Sequence, residues 1–232
     1  MEKPRRKVVV VIPAYNEAAV VAQVISAIPS AVDDMEVISL VVDDGSTDQT
    51  SEVALSHGAV VFRHVINLGV GAATRTGLRA AKEFSPEVVV TIDADGQHEP
   101  AEIASLVRCL VDEKLDVVIG SRILQPEGMP LSRIAANLLL NGITFVVYGK
   151  VVSDSQSGFK AFSRRSLNII ELHSAGYEIC SEIIGEIVRN KLNYKSLPVK
   201  AVYTKYSQAK GQPFLNGISL IIQLFVRMLR RV

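Results

Sequence analysis

Val88-Val89-Val90-Thr91-Ile92-Asp93-Ala94-Asp95-Gly96-Gln97-His98 is the stretch on which the reading of this chain turns: a β-branched apolar run stops at two alternating carboxylates. Val88 to Ile92 is too short and too branched for a helix and predicts a buried strand. The same grammar recurs upstream. Val8 to Ile12 is followed by the polar cluster Pro13 to Glu17, and Val37 to Val42 by Asp43 to Asp48. Ala59 to Phe62 and Val117 to Ile119 are further short runs of this kind. Between them lie helical patterns such as Val20, Val21, Val24, Ile25 and Ile28, with apolar residues three and four apart. Short strands alternating with amphipathic helices predict an α/β fold around a mostly parallel sheet. Ligands then collect where the strands end.

Bulk properties narrow the function classes. The chain has 232 residues, enough for one domain with its own core. Lys plus Arg number 25 against 24 for Asp plus Glu, so the basic field of a nucleic-acid binder is absent. Acids gather early, at Asp43, Asp44, Asp48, Asp93 and Asp95, whereas Arg227, Arg230 and Arg231 close the chain. That asymmetry predicts a metal-and-nucleotide half and a phosphate-or-lipid half. Cys109 and Cys180 sit in separate apolar patterns and read as buried thiols, which implies a reducing, cytosolic setting. Pro13 and the polar residues after it come too soon for a secretory signal.

The two acids after Ile92 can face one ligand through a turn. Hard oxygen donors so spaced suit Mg²⁺ or Mn²⁺ shared with a pyrophosphate, and the ion would neutralise charge on a nucleoside diphosphate leaving group. The plainer role of such acids is to cap the helix expected near Pro100; Gly96, Gln97 and the second acidic loop favour the metal. In that second loop Asp48 reads as the cap of a helix running to His57, and Asp44 as an acceptor for nucleobase or ribose hydrogen bonds. Tyr15 offers a ring to stack on a base and Glu17 a carboxylate for sugar hydroxyls, while Asn16 reads as a helix cap. Asn67 to Arg75 opens a helix with two glycines, whose N–H groups could approach an anion. It lacks the full dinucleotide fingerprint, which disfavours nicotinamide and flavin cofactors.

Taken in order, the chain contains PAYNE (13–17), DDGSTD (43–48), NLGVGAATRTG (67–77), DADGQH (93–98) and GSR (120–122). This series resembles the large family of inverting glycosyltransferases with the GT-A fold. SDSQSGFKAFSRR (153–165) and YTKYSQAKGQ (203–212) are similar to its polyprenol-phosphate mannosyl- and glucosyltransferase branch, typified by dolichol-phosphate mannose synthases. The resemblance implies a nucleoside pocket lined by Pro13, Tyr15, Glu17, Val42 and Asp44, with Asp93 and Ala94 beside it. It implies that Asp95 and Gln97 hold the metal, that Arg122 meets phosphate at the reaction centre, and that Arg133 and Lys210 hold the acceptor phosphate. Relatives that glycosylate an alcohol carry a Glu-Asp pair whose Asp is the general base; here the corresponding stretch reads Tyr177-Glu178-Ile179-Cys180-Ser181-Glu182. A phosphate monoester is anionic already and needs no such base, so the departure fits a polyprenyl or dolichyl phosphate acceptor. Glu178 or Glu182 would remain available to an alcohol, and Glu182, Glu186 and Arg189 have the spacing of a solvated helix face.

Two apolar segments bear on membranes. Phe214 to Leu229 would span about 24 Å as a helix, short of the roughly 30 Å hydrocarbon core, and reads as a C-terminal amphipathic segment (213–232) that lies on a bilayer or on its own domain. Ile134 to Val152 is interrupted by Asn137, Asn141, Gly142 and Gly149 and reads as an interfacial helix, inside a catalytic domain of residues 1–212. The same helix would serve as a subunit contact in a homo-oligomer. The expectation is therefore a hexosyltransferase peripheral to the cytoplasmic face of a membrane. Its rivals are transfer to a sugar hydroxyl of a polysaccharide or lipid-linked glycan, a non-catalytic binding partner, and a nucleotidyltransferase.

Overall fold

The computed structural model describes residues 6–203, so Lys210 and the proposed C-terminal helix 213–232 lie outside the described residues. From the N-terminal side the elements are β1 (Arg6–Ala14), α1 (Val21–Ala27), β2 (Ala31–Val32), β3 (Met35–Asp43), α2 (Thr50–Ser56), β4 (Val60–Arg63) and α3 (Val70–Ala81). They continue with β5 (Val88–Thr91), α4 (Ile103–Asp112), β6 (Val117–Ser121), α5 (Leu131–Tyr148), β7 (Lys160–Ser163), α6 (Arg164–Ile169), α7 (Ile179–Arg189) and β8 (Tyr194–Pro198).

The five expected strands are all present, and they share one eight-stranded sheet in the order β2-β3-β1-β5-β7-β6-β8, with β4 also paired to β3. β1 runs parallel to β3 and β5, β3 parallel to β4, and β6 parallel to β8. Alternation in β1 explains the layers. Val8, Val10 and Ile12 join the core with Ile25 of α1, Ala54 of α2 and Leu106 of α4, whereas Val9 and Val11 face Leu78 of α3 and Ile184 of α7. A strand buried on both faces is why the run reads as unbroken valine rather than as an alternation.

Two features depart from the sequence reading. β7 lies outside the five short runs read as strands from the sequence, and it runs antiparallel between β5 and β6. The apolar helix starts at Leu131 behind Pro130 and ends at Tyr148, four residues before the expected Val152, because Gly149 turns left-handed (φ 68°) and its N–H caps the Phe145 carbonyl at 2.7 Å. Of α5 only Thr144 and Tyr148 are buried. Among the described residues it is the one helix long and apolar enough to cross a membrane.

Candidate active site

β1, β3, β5 and β6 end on the same edge of the sheet, and register brings Pro13 beside Val42 and Ala14 beside Asp43. The loops leaving β1 and β3 then tie to each other. Asn16, in the left-handed region at φ 53°, accepts the Thr47 N–H on Oδ1 at 2.8 Å and donates its own N–H to Ser46 Oγ at 2.8 Å. Asn16 is thus a loop tie rather than the helix cap read from the sequence. Asp48 does act at the start of α2, where Oδ1 accepts the Thr50 N–H at 3.1 Å, and its other oxygen accepts the Ala18 N–H. Tyr15 is exposed beside this seam, and Glu17 is buried with its N–H on Thr50 Oγ1 at 2.8 Å.

Asp44 is buried, and its carboxylate is occupied by the protein. Oδ2 accepts the Gly69 N–H at 2.7 Å, and Oδ1 accepts the Leu68 N–H at 3.0 Å and pairs with His64 Nδ1 at 2.7 Å. His64 Nε2 in turn meets Thr76 Oγ1 at 2.9 Å. The expected opening of α3 toward an external anion is therefore corrected: Asp44 is the anion at that helix start, and the Ala72 N–H goes to the Ala175 carbonyl. The reading of Asp44 as a nucleobase acceptor meets a side chain already engaged on both oxygens.

The turn after β5 holds the expected acids. Asp93 is half-buried, and desolvation, with the Asp95 charge beside it, raises its carboxyl above the usual carboxylate range against the pull of Arg122 and Lys160. Asp95 is also raised, chiefly by desolvation. Asp95 Oδ1 accepts the Gln97 N–H at 3.0 Å and Oδ2 meets the Gln97 side-chain amide at 2.6 Å. Ala94 is buried between the two acids. Gly158 closes the floor: a Cβ there would collide with both Asp93 carboxylate oxygens, so only glycine lets the backbone approach. A carboxylate and an amide oxygen on one turn, beside a second acid, form a hard-donor set that fits a divalent cation. Among the described residues no group of three His, Cys, Asp or Glu side chains is placed to hold a metal.

His98, next in sequence, is fully buried against Phe159, with Nε2 3.7 Å from Asp93 Oδ2 and neither ring nitrogen hydrogen-bonded. Burial pushes its pKa down to about 3, which keeps the imidazole neutral.

Arg122 follows β6 and is gripped by Asp154, which sequence reading missed. The Asp154 carboxylate accepts the Arg122 N–H at 3.1 Å, Nε at 2.8 Å and Nη2 at 3.0 Å. Lys160, also missed, is a fully buried cation in β7 whose ammonium donates to the Ser157 carbonyl. Arg133 stands in the first turn of α5, its guanidinium 5.8 Å over the Tyr203 ring, and its charge favours the ionised form of Asp95. The segment to Tyr203 runs along the turn after β5, with the Val202 N–H on the Gln97 carbonyl at 2.9 Å.

The carboxylates of α7 are not a solvated face. Glu182 accepts the N–H groups of His173 at 3.1 Å and Ser174 at 2.8 Å, and the buried Glu186 accepts that of Glu171 at 3.2 Å. Glu178 accepts the Gly176 N–H at 3.0 Å.

The profile of Glycosyl transferase family 2 matches residues 9–170, from within β1 to the end of α6, and so takes in the loops that leave β1, β3, β5 and β6. The chain belongs to glycosyl transferase family 2. This family 2 enzyme is similar to the UDP-N-acetylglucosamine–dolichyl-phosphate N-acetylglucosaminyltransferase of Methanococcus voltae, at 35% identity over 244 residues, covering 96% of each chain. It is 30% identical over 220 residues to the dolichol-phosphate mannosyltransferase of Pyrococcus furiosus, covering 91% of this chain and 60% of that one. Among solved structures, glucosyl-3-phosphoglycerate synthase from Mycobacterium tuberculosis in complex with Mg²⁺ and UDP superposes with a TM-score of 0.73 at 26% identity, covering 97% of this chain and 79% of that one. The GT-A glycosyltransferase fold expected from the motifs is thereby established.

Proposed function

We propose that this family 2 enzyme transfers one sugar from a nucleotide-sugar to the phosphate of a polyprenyl or dolichyl carrier, with inversion at the anomeric carbon. The observation that carries this reading is the commitment of Glu182 to the His173 and Ser174 amides and of Glu178 to Gly176. The stretch that supplies a general base to alcohol acceptors is used here to brace a loop, and a phosphate nucleophile requires no base. Relatives named for dolichyl-phosphate transfer support the same acceptor class.

In this mechanism Pro13, Tyr15, Glu17, Val42 and Ala94 border the nucleoside, and Asp93 takes hydroxyls of the ribose or sugar. Asp95 and Gln97 would hold a divalent ion, Mg²⁺ or Mn²⁺, which when bound neutralises charge on the departing diphosphate. Arg122 cancels repulsion between the two phosphates as they approach, a charge-assisted contact of roughly 1.5–3 kcal/mol. Arg133 and Lys210 orient the acceptor phosphate, and the exposed Leu138, Leu139, Phe145 and Val146 of α5 rest on the membrane that carries it. The donor is a UDP- or GDP-sugar. The names of the relatives add N-acetylglucosamine to the mannose and glucose expected from sequence.

The test is incubation of purified protein and Mn²⁺ or Mg²⁺ with labelled UDP-N-acetylglucosamine, UDP-glucose or GDP-mannose and a short polyprenyl phosphate. Label entering the organic phase as a mild-acid-labile sugar phosphate is expected, and its loss in Asp95→Ala with the fold intact. An acid-stable glycoside on a sugar acceptor would instead establish the hydroxyl-directed rival.

A further inference from the structure

Asn141 is a polar side chain in the middle of the apolar helix α5, and its amide reaches inward to the loop that holds Arg122. Its Nδ2 donates to the Ser153 carbonyl at 2.6 Å, and its Oδ1 accepts the Ser155 N–H at 2.8 Å. A carbonyl on one side and an N–H on the other fix which way the amide faces. The residue between those two contacts is Asp154, fully buried, whose carboxylate makes all three hydrogen bonds to Arg122. One side chain of the helix thus clamps the backbone on both flanks of the carboxylate that aims the arginine.

We infer that Asn141 is a positioning residue that fixes Asp154, and through it the Arg122 guanidinium, at the reaction centre. The inference rests on the proposed role of Arg122 in meeting phosphate. Helix α5 then works on two sides, presenting Leu138 and Leu139 outward while serving inward as the scaffold against which the reaction-centre arginine is set. Buried ion pairs keep their geometry only where the surrounding backbone is held, because a small displacement of one partner loses the bidentate fit.

The experiment is a double-mutant cycle on the transfer reaction with Asn141→Ala and Arg122→Lys, together with an activity-independent readout, the rate at which phenylglyoxal labels Arg122, followed by peptide mass spectrometry. In the wild type Arg122 is shielded, with 12% of its side chain exposed. Asn141→Ala is expected to lower kcat about ten-fold, the rate equivalent of roughly one hydrogen bond, with donor KM within about two-fold. It is expected to label faster at Arg122 and to add no further loss on top of Arg122→Lys. Rate losses that multiply, or labelling of Arg122 unchanged from wild type, would overturn the inference. Should the alanine variant unfold, Asn141→Ser is read in the same way. Failure of the wild type to glycosylate any lipid phosphate would sink the proposed function instead, and leaves the labelling comparison to decide on Asn141.

Discussion

The Asp44 carboxylate occupies the start of α3, accepting the Gly69 N–H at 2.7 Å while its partner oxygen holds the Leu68 N–H and His64. Residues 25 apart in sequence are joined here, and the Asp44 carboxylate ties residues 64–69 beside the loops that leave β1 and β3. Asp44→Ala leaves two part-buried amides and the His64 ring without their acceptor, so a loss of about 1–3 kcal/mol in stability is expected. Urea unfolding at pH 7 checks it, and Asp44→Asn, which keeps one acceptor, should lose less.

Gly158→Ala is expected to abolish donor binding with little change in secondary structure. The added methyl would need the space of the Asp93 carboxylate, and the alanine has nowhere else to put it because Thr91 Oγ1 pins the Gly158 carbonyl at 2.7 Å. Calorimetric titration with UDP or GDP checks this. Binding within about two-fold of wild type would show that Asp93 takes no part in holding the nucleotide.

The Arg122–Asp154 pair makes stability depend on acid. Burial works against the Asp154 charge, but the Arg122 guanidinium outweighs it and holds the carboxyl below its usual range. A carboxylate with a depressed folded pKa contributes stability that is fully present above about pH 4, its unfolded range, and is lost as pH falls through the folded value. Asp154→Ala leaves Arg122 buried and unpaired and should cost about 3–5 kcal/mol at neutral pH. The gap in melting temperature between wild type and variant should hold steady from pH 7 to about 4 and narrow only below that, and a gap that is absent at pH 7, or that already narrows above about pH 5, would show the pair to be uninvolved.

Gln97→Ala should leave the protein active but raise the Mn²⁺ concentration for half-maximal transfer roughly ten-fold, the usual scale for weakening a metal's surroundings. Removal of the cation by chelation should stop transfer by both proteins, and readdition restore it. An unshifted Mn²⁺ requirement would assign the cation to donors other than the Gln97 amide.

Local pattern was enough to place Val8 to Ile12, Val37 to Val42 and Val88 to Ile92 as buried parallel strands, since unbroken β-branched runs between amphipathic helices have few other stable arrangements. It also placed the polar clusters, because strand ends are where a parallel sheet exposes its loops. The family motifs named the fold and the chemistry class. What local pattern could not carry was partnership across the fold. β7 hides in four residues whose first, Lys160, argues against a core strand, and it becomes one because Phe159 just before it and Phe162 within it are buried in two separate core clusters. Glu182 and Glu186 have the spacing of a solvated face yet are buried on distant amides. Asp154 reads as one more polar loop residue until β6 brings Arg122 to it from 32 positions away. Sequence by itself determined the strands, the strand-end loops and the family, because periodicity and motif act over a few residues. Tertiary structure alone decided which carboxylates are engaged in holding loops and partner side chains, because a buried charge is settled by the partners the fold delivers to it.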